Sequence, residues 1–377
     1  MSPKHRSGTV SRKWGLTPFL LTLATPSFAD CDARADNAIP KGQWHLHWEN
    51  DVLTRFASDE YFTNGLRVGY AWDPGCERRW IANQGEWLEN TRFGRKLGLN
   101  DSARFTRSAS FGIGQNIYTP SDITIATPLP DDHPYAGWLY LVTHFDYTSP
   151  EVPLEKWTSQ RQHSLELQLG IVGPGSGGHE VQKWVHEVND DKTPMGWDHQ
   201  LHNEPGLVVS YQWQRRYLHP SRNFDFTPSF MGAVGNVQTY GAAGLTMRFG
   251  DNIAGFPQRP TEPSRVVKGQ LRDDHAMCGK IHFISECYVF VSGEARYVAR
   301  NIFLDGNTFR DSPSVDSKPF VFDYTLGFRL RLPGPQLTFT YMFVHRTSEF
   351  SPVPGTSKHQ DGHHEYGVAT FSWDTHF

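Results

Sequence analysis

The chain has no run of about 18 apolar residues after its first thirty positions, so no transmembrane helix is expected. Cysteine is scarce: four in 377 residues, none in a CxxC pair, which argues against a cysteine-built zinc site or a thiol redox centre. The net charge of -4 is too small to point to a nucleic-acid partner. Heptad runs, basic repeats and internal repeats of fixed period are absent. There is no GxSxG elbow either, which weakens the case for a soluble α/β serine esterase.

What the chain does have is aromatic residues, at 14%, and 34 glycines, with a mean hydropathy of -0.53. It opens like an export signal. Lys4, Arg6, Arg12 and Lys13 precede an apolar stretch from Trp14 to about Leu23, and Ser27-Phe28-Ala29 is a small-x-small cleavage pattern. Residues 1–29 are therefore read as a cleaved signal peptide and 30–377 as the mature domain. Export permits disulfides, with Cys278–Cys287 the favoured pair and Cys31–Cys76 left over.

The dominant period is two. Leu165, Leu167, Leu169 and Ile171 alternate with Ser164, Glu166 and Gln168; Phe322, Tyr324, Leu326, Phe328 and Leu330 alternate with Asp323, Thr325, Arg329 and Arg331. Long alternating segments with aromatic ends suit strands that face lipid on one side and a lumen on the other, whereas soluble sandwich strands are shorter and polar outside. Strands are expected near 44–51, 61–73, 104–118, 137–148, 162–173, 206–218, 223–235, 238–249, 287–302, 320–332, 335–347 and 364–377. The predicted fold is thus all-β: an antiparallel transmembrane β-barrel of about twelve strands with a short helix in an outer loop. The alternating last segment ends on Phe377, like the export signature of outer-membrane barrels.

Parity puts both ends of the barrel domain on the periplasmic side, and odd-to-even connections, expected to be long, outside. The Pro-rich stretch 251–286 falls on the inner side, as a plug or loop or as a missed pair of strands. In the second strand, Phe62, Leu66, Val68, Tyr70 and Trp72 share one face. Tyr61, Thr63, Gly65, Arg67, Gly69 and Ala71 share the other.

Three distant segments then meet at the outer rim. The first strand ends on Asn50–Asp51, and the second begins beside Thr63. The long loop after the fifth carries a helical pattern, His179 to Val188, that puts Gln182 and His186 on one face. These groups suit ester hydrolysis. His186 is a general base for water, and Gln182 orients the water or the imidazole. Asp51 and Asn50 offer hard oxygen ligands for Ca²⁺. The cation and the Thr63 hydroxyl would stabilise an oxyanion. Because adjacent strand residues face opposite ways, Asn50 and Asp51 can both serve only if the strand has ended or bulges there. The blander readings are a turn signal for Asn50–Asp51, small lumen residues for Thr63 and Gly65, and a solvated or packed histidine among eighteen for His186. The acidic stretch Leu304 to Asp311 lacks full EF-hand spacing and is read as an outer loop.

Taken in order, the END…YFTNGLRVGY block, GIGQNIYTP (112–120), PYAGWLYL (134–141), LGIVGP…QKWVHEV (169–188), GWDHQLHNEPGL (196–207) and ARNIFLDGNTFRDS (299–312) resemble the lipid A 3'-O-deacylase (LpxR) family from about Trp44 to Phe377. The resemblance implies a twelve-stranded outer-membrane barrel with a Ca²⁺-dependent esterase site near the outer leaflet. The implied substrate is lipid A within lipopolysaccharide, among outer-membrane lipids; a monomer is expected, though the sequence leaves the oligomeric state open. The family's Asn-Asp pair falls on Asn50 and Asp51, its Thr on Thr63, and its Gln-x-x-x-His on Gln182 and His186. The implied mechanism is similar to that of secreted phospholipase A2. His133 stands where the family pattern leads one to expect Arg. The alternatives are an outer-membrane phospholipase A-like acyl hydrolase, for which no His-x-Ser is found, and a porin or structural barrel without catalysis.

Overall fold

A computed structural model describes residues 41–54, 61–129, 132–190, 192–260, 284–332, 337–351 and 363–375. The proposed signal, residues 1–29, lies outside them, as do Cys31 and Cys278. Cys76 and Cys287 are both disulfide-bonded.

Twelve antiparallel strands close into a barrel: β1 (Gly42–Asn50), β2 (Tyr61–Trp72), β3 (Thr106–Thr119), β4 (Ala136–Thr148), β5 (Thr158–Val172), β6 (Glu204–Leu218), β7 (Phe224–Gly235), β8 (Gln238–Asp251), β9 (Glu286–Asn301), β10 (Phe320–Leu332), β11 (Leu337–Arg346) and β12 (His364–Asp374). Each strand pairs with the next, and β12 pairs with β1 from Gln43↔Asp374 to Asn50↔Gly367, so no edge is left open. The two-residue strand Val152–Pro153 pairs antiparallel with the start of β5, through Ser159 and Thr158. Every strand expected from the alternation is present.

The alternation acts inside out. Trp44, Leu66, Ile113, Leu141, Leu169, Val209 and Phe322 point outward and are exposed. The alternate positions Gln43, His45, Arg67, Glu166, Gln212, Arg329 and Thr370 point inward and are buried. Such a wall has its apolar side toward lipid. Among the described residues no helix is long and apolar enough to cross a membrane.

Charges in the lumen are paired. Arg67 Nη2 lies 2.7 Å from Glu166, and Arg346 Nε lies 2.9 Å from Asp323, which Arg296 also engages. Removing one partner from such a buried pair typically costs about 3–5 kcal/mol. The chain after β8 turns back into the barrel. Ile253 and Phe256 are buried, Gln258 Nε2 donates to Thr370 Oγ1 (2.9 Å), and Arg259 Nη2 lies 2.6 Å from Glu294. Of the two readings of 251–286, the described part is a plug, not a pair of strands.

Connection lengths depart from the parity expectation. At the end where β1 finishes (the site end), the β7–β8 connection is only Asn236–Val237, and Asn236 ties it to the start of β6 by donating to Glu204 and the Pro205 carbonyl (both 2.8 Å). At the opposite end the β2–β3 connection is long and carries two unforeseen helices, α1 (Arg79–Asn90) and α2 (Arg92–Leu97). Thr91 separates them and caps α2 by accepting from Gly94 N–H (3.0 Å).

Candidate active site

At its last residue β1 stops being a strand. Asn50 is extended (φ -161°, ψ 144°) and its Oδ1 accepts the Val52 N–H (2.7 Å), capping a single 3₁₀ turn, Asp51–Leu53. This resolves the conflict of faces: Asn50 is the final strand residue, and Asp51 is rotated into the turn and fully buried. Asn50 Nδ2 donates to Asn64 Oδ1 (3.2 Å), which also accepts from the Trp48 indole (3.0 Å). The turn lies flat on β12 because residue 367 is glycine; a Cβ there would collide with Leu53. The Tyr341 hydroxyl donates to the Leu53 carbonyl (2.7 Å) and pins the turn from β11.

Thr63 sits in a β-bulge, and this corrects the expected division of β2 into faces. The pairing with β3 runs Phe62↔Tyr118 and then Asn64↔Ile117, so Thr63 is the extra residue. Phe62 consequently faces the lumen, packing on Tyr118 and Tyr366, not outward with Leu66. The Thr63 Oγ1 instead meets Thr119 Oγ1 at 2.6 Å, on the side of β3 that also carries Ile117. Tyr61, one step earlier, has φ +69°, an uncommon conformation for a bulky residue, and is held by Leu304 and Phe350.

The expected helix is α3 (Gly178–Asn189), entered through Gly177 in the left-handed region (φ +69°). It lies against the outer face of the barrel wall. Ile117 packs with Val181 and Trp197, and the backbone at Gly178 comes so close to Gly137 on β4 that a Cβ at 137 would run into Ser176. Gln182 and His186 share the buried face of α3. The Trp197 indole N–H donates to Gln182 Oε1 (2.8 Å). This turns the amide so that its Nε2, buried and without a hydrogen-bond partner among the described residues, is a donor held in reserve. His186 Nδ1 lies 2.6 Å from the Lys192 carbonyl. A carbonyl can only accept, so Nδ1 carries a hydrogen; in the neutral imidazole the lone pair is then on Nε2.

One row across the wall joins these pieces. Asn50 pairs with Asn64, Asn64 with Ile117, and Ile117 with Gly137, all at the level where α3 is seated. Asn50, Asp51 and Thr63 thus border the same outer-wall layer as Gln182 and His186. Exposed Trp48, Val52 and Leu66 on one side, and Trp184, Val188 and Met195 on the other, surround it with apolar surface. Sequence reasoning missed Trp197 and Thr119 as positioning residues, although Trp197 lies within the quoted GWDHQLHNEPGL block. Since α3 needs a residue without a side chain beneath it, Gly137→Val is expected to lower activity about 10²-fold by displacing Gln182 and His186. The barrel should still migrate as folded on a cold gel; hydrolysis assays on such folded protein check this.

Among the described residues no group of three or more His, Cys, Asp or Glu could hold a metal ion. Asp51 and Asn50 carry oxygens of the hard type that Ca²⁺ takes in preference to a transition metal, and the Asn50 Oδ1 already accepts the Val52 N–H.

Other candidates lie elsewhere. His133 is buried over the lumen mouth, stacked on Tyr118 with ring centroids 5.5 Å apart; burial lowers its pKa, so it is a neutral packing ring. The Leu304–Asp311 stretch is an outer loop tied to its neighbours: Asp305 accepts from Asn301 N–H (2.8 Å) and from the Ser317 hydroxyl (2.6 Å), and Asn307 Nδ2 donates to the His202 carbonyl (2.9 Å). Ser164, His144 and Asp146 cluster in the lumen, but Ser164 donates to Asp146 (2.5 Å) and not to His144, so the trio does not form a nucleophile and its base.

A family model described as "Outer membrane protein LpxR" matches residues 16–375 of this chain. No curated protein sequence matches it. Among solved structures, LpxR from Salmonella typhimurium superposes with a TM-score of 0.61 at 19% identity, covering 88% of this chain and 99% of that one. The β domain of the Bordetella autotransporter BrkA reaches a TM-score of 0.40 at 10% identity, covering 89% and 99%.

Proposed function

The chain belongs to the outer membrane protein LpxR family, and on that premise we propose that it is a lipid A 3'-O-deacylase, hydrolysing the 3'-linked acyloxyacyl ester in the outer membrane. The observation that carries this reading is the pair of oriented groups on α3. His186 presents Nε2 as a base, and Gln182 presents a buried amide donor, both on a wall that faces lipid.

A substrate whose acyl chains lie in the bilayer would reach this site from the side, over Trp48, Leu66, Trp184 and Val188. His186 Nε2 takes a proton from water as the water oxygen attacks the ester carbonyl. The Gln182 amide and the Thr63 hydroxyl donate to the oxygen that becomes negative, with Thr119 holding Thr63 in place. On collapse, the sugar 3'-oxygen leaves and takes the proton back from His186, and the acyl chain departs as the carboxylic acid, which then loses its proton to water. Asp51 and Asn50 would hold Ca²⁺, which when bound supplies positive charge beside the oxyanion.

A passive pore is disfavoured by the plug at 252–260 and the lumen ion pairs, and a serine-based phospholipase by the lumen position of Ser164. Mass spectrometry of lipid A from cells expressing the chain tests the proposal. Loss of the 3' acyloxyacyl group is expected. An unchanged lipid A with the barrel folded and Ca²⁺ present would overturn it, and sensitivity to serine-directed inhibitors would favour the phospholipase.

A further inference from the structure

The helices α1 and α2 are laid on the outside of the barrel, at the end opposite the candidate site. Ile81 is wholly buried against outward-facing side chains of the wall: Trp72, Ala109, Phe145 and Tyr147 form one cluster with it, and Leu88 and Leu97 pack alongside. Phe93 meets Tyr211 edge-on (5.3 Å), and Trp80 meets Phe111 (5.1 Å). Away from the wall, Trp87 is 68% exposed and Phe93 and Trp80 nearly half exposed. These aromatics sit among exposed Arg78, Arg79, Arg92, Arg95 and Lys96. Nearby acids Glu77 and Glu89 are both taken up by Arg107 (3.5 and 2.7 Å), which leaves Glu86 and Asp101 as the exposed ones.

The height of this surface identifies what it meets. Thr63 and Trp72 are nine steps apart on β2; at ~3.3 Å per residue and a tilt near 40°, that is about 23 Å along the membrane normal. An apolar band of about 25 Å therefore has the candidate site at one interface and α1–α2 at the other. Exposed tryptophan and phenylalanine beside arginine and lysine are the residues of a headgroup interface, and the positive charge selects anionic lipid.

We infer that α1 and α2 form a docking surface for anionic phospholipid headgroups of the inner, periplasm-facing leaflet, through Trp87 and Phe93 and the Arg92, Arg95 and Lys96 cluster. The helices extend the lipid-facing wall into the inner interface and fix the height of the barrel, and with it that of the site. This inference requires the barrel to span a membrane but does not depend on lipid A hydrolysis.

The test uses the whole folded protein in detergent with equimolar phosphatidylglycerol and phosphatidylcholine, and counts retained lipid by native mass spectrometry. Wild type is expected to retain phosphatidylglycerol about tenfold or more over phosphatidylcholine, and R92Q/R95Q/K96Q to fall toward parity. In bilayers of phosphatidylglycerol brominated high on its chains, Trp87→Phe should remove part of the quenched emission. Equal retention of both lipids by wild type, undiminished selectivity in the triple variant, or no change in quenching would each overturn the inference. So would a dimer that Trp87→Ser and Phe93→Ser abolish without any lipid selectivity, which would assign the surface to a second copy. None of these residues lies at the candidate site, so folded variants should retain hydrolysis. A wild type that hydrolyses nothing can still show lipid selectivity, which keeps the two proposals separable.

Discussion

His186→Ala is expected to lower hydrolysis of lipid A by about 10²–10⁴-fold, the range typical for loss of a positioned general base. The fall should appear in kcat, because the imidazole acts on water and not on the acyl chains. Folding should be unaffected: His186 lies on α3, outside the barrel wall, where its Nδ1 is bonded to the Lys192 carbonyl on the same loop. Purified wild type and variant, compared at saturating substrate after confirming heat-modifiable migration, decide the matter. A variant within threefold of wild type would remove His186 from the mechanism.

Asp51→Asn is the second large effect. The substitution keeps the shape of a fully buried side chain and removes its charge. If Asp51 holds Ca²⁺, activity at a fixed low concentration of the ion should fall by about 10²-fold or more, and added Ca²⁺ should recover part of it. Calcium binding measured without substrate should weaken in parallel. An unchanged calcium titration in a folded variant would assign Asp51 to the turn alone.

The barrel was legible because the alternation of side chains is its construction rule. Leu165 to Ile171 and Phe322 to Leu332 have only one face that tolerates lipid, and that alone sets strand, register and side. The bulge at Thr63 was not legible, since one inserted residue leaves the alternation on either side intact while swapping the faces across it. Nor was the position of α1 and α2. Ile81 and Leu88 recur at helical spacing, but only the wall residues Trp72 and Phe145, far apart in sequence, show which surface they cover. For the site, polar residues at strand ends and the Gln182/His186 spacing made a rim cluster readable, and the family resemblance picked these residues from among other histidines and acids. The orientation of each group came from partners no spacing rule reveals: the Lys192 carbonyl, the Trp197 indole and the Thr119 hydroxyl.

The filled lumen has a kinetic consequence. With the plug bonded to Thr370 and Glu294, the described part of the lumen is obstructed, and the candidate site lies on the outer wall. If the substrate is lipid A as proposed, encounter would be a two-dimensional search within one leaflet. Its rate follows the mole fraction of substrate among neighbouring lipids, not its concentration in the surrounding water. Inert lipid or detergent added at constant total substrate would act as a diluent of the surface and slow turnover. Crowding of the leaflet by tightly bridged headgroups would have the same effect through diffusion. The enzyme would thus register the composition of its own membrane through the frequency of its collisions.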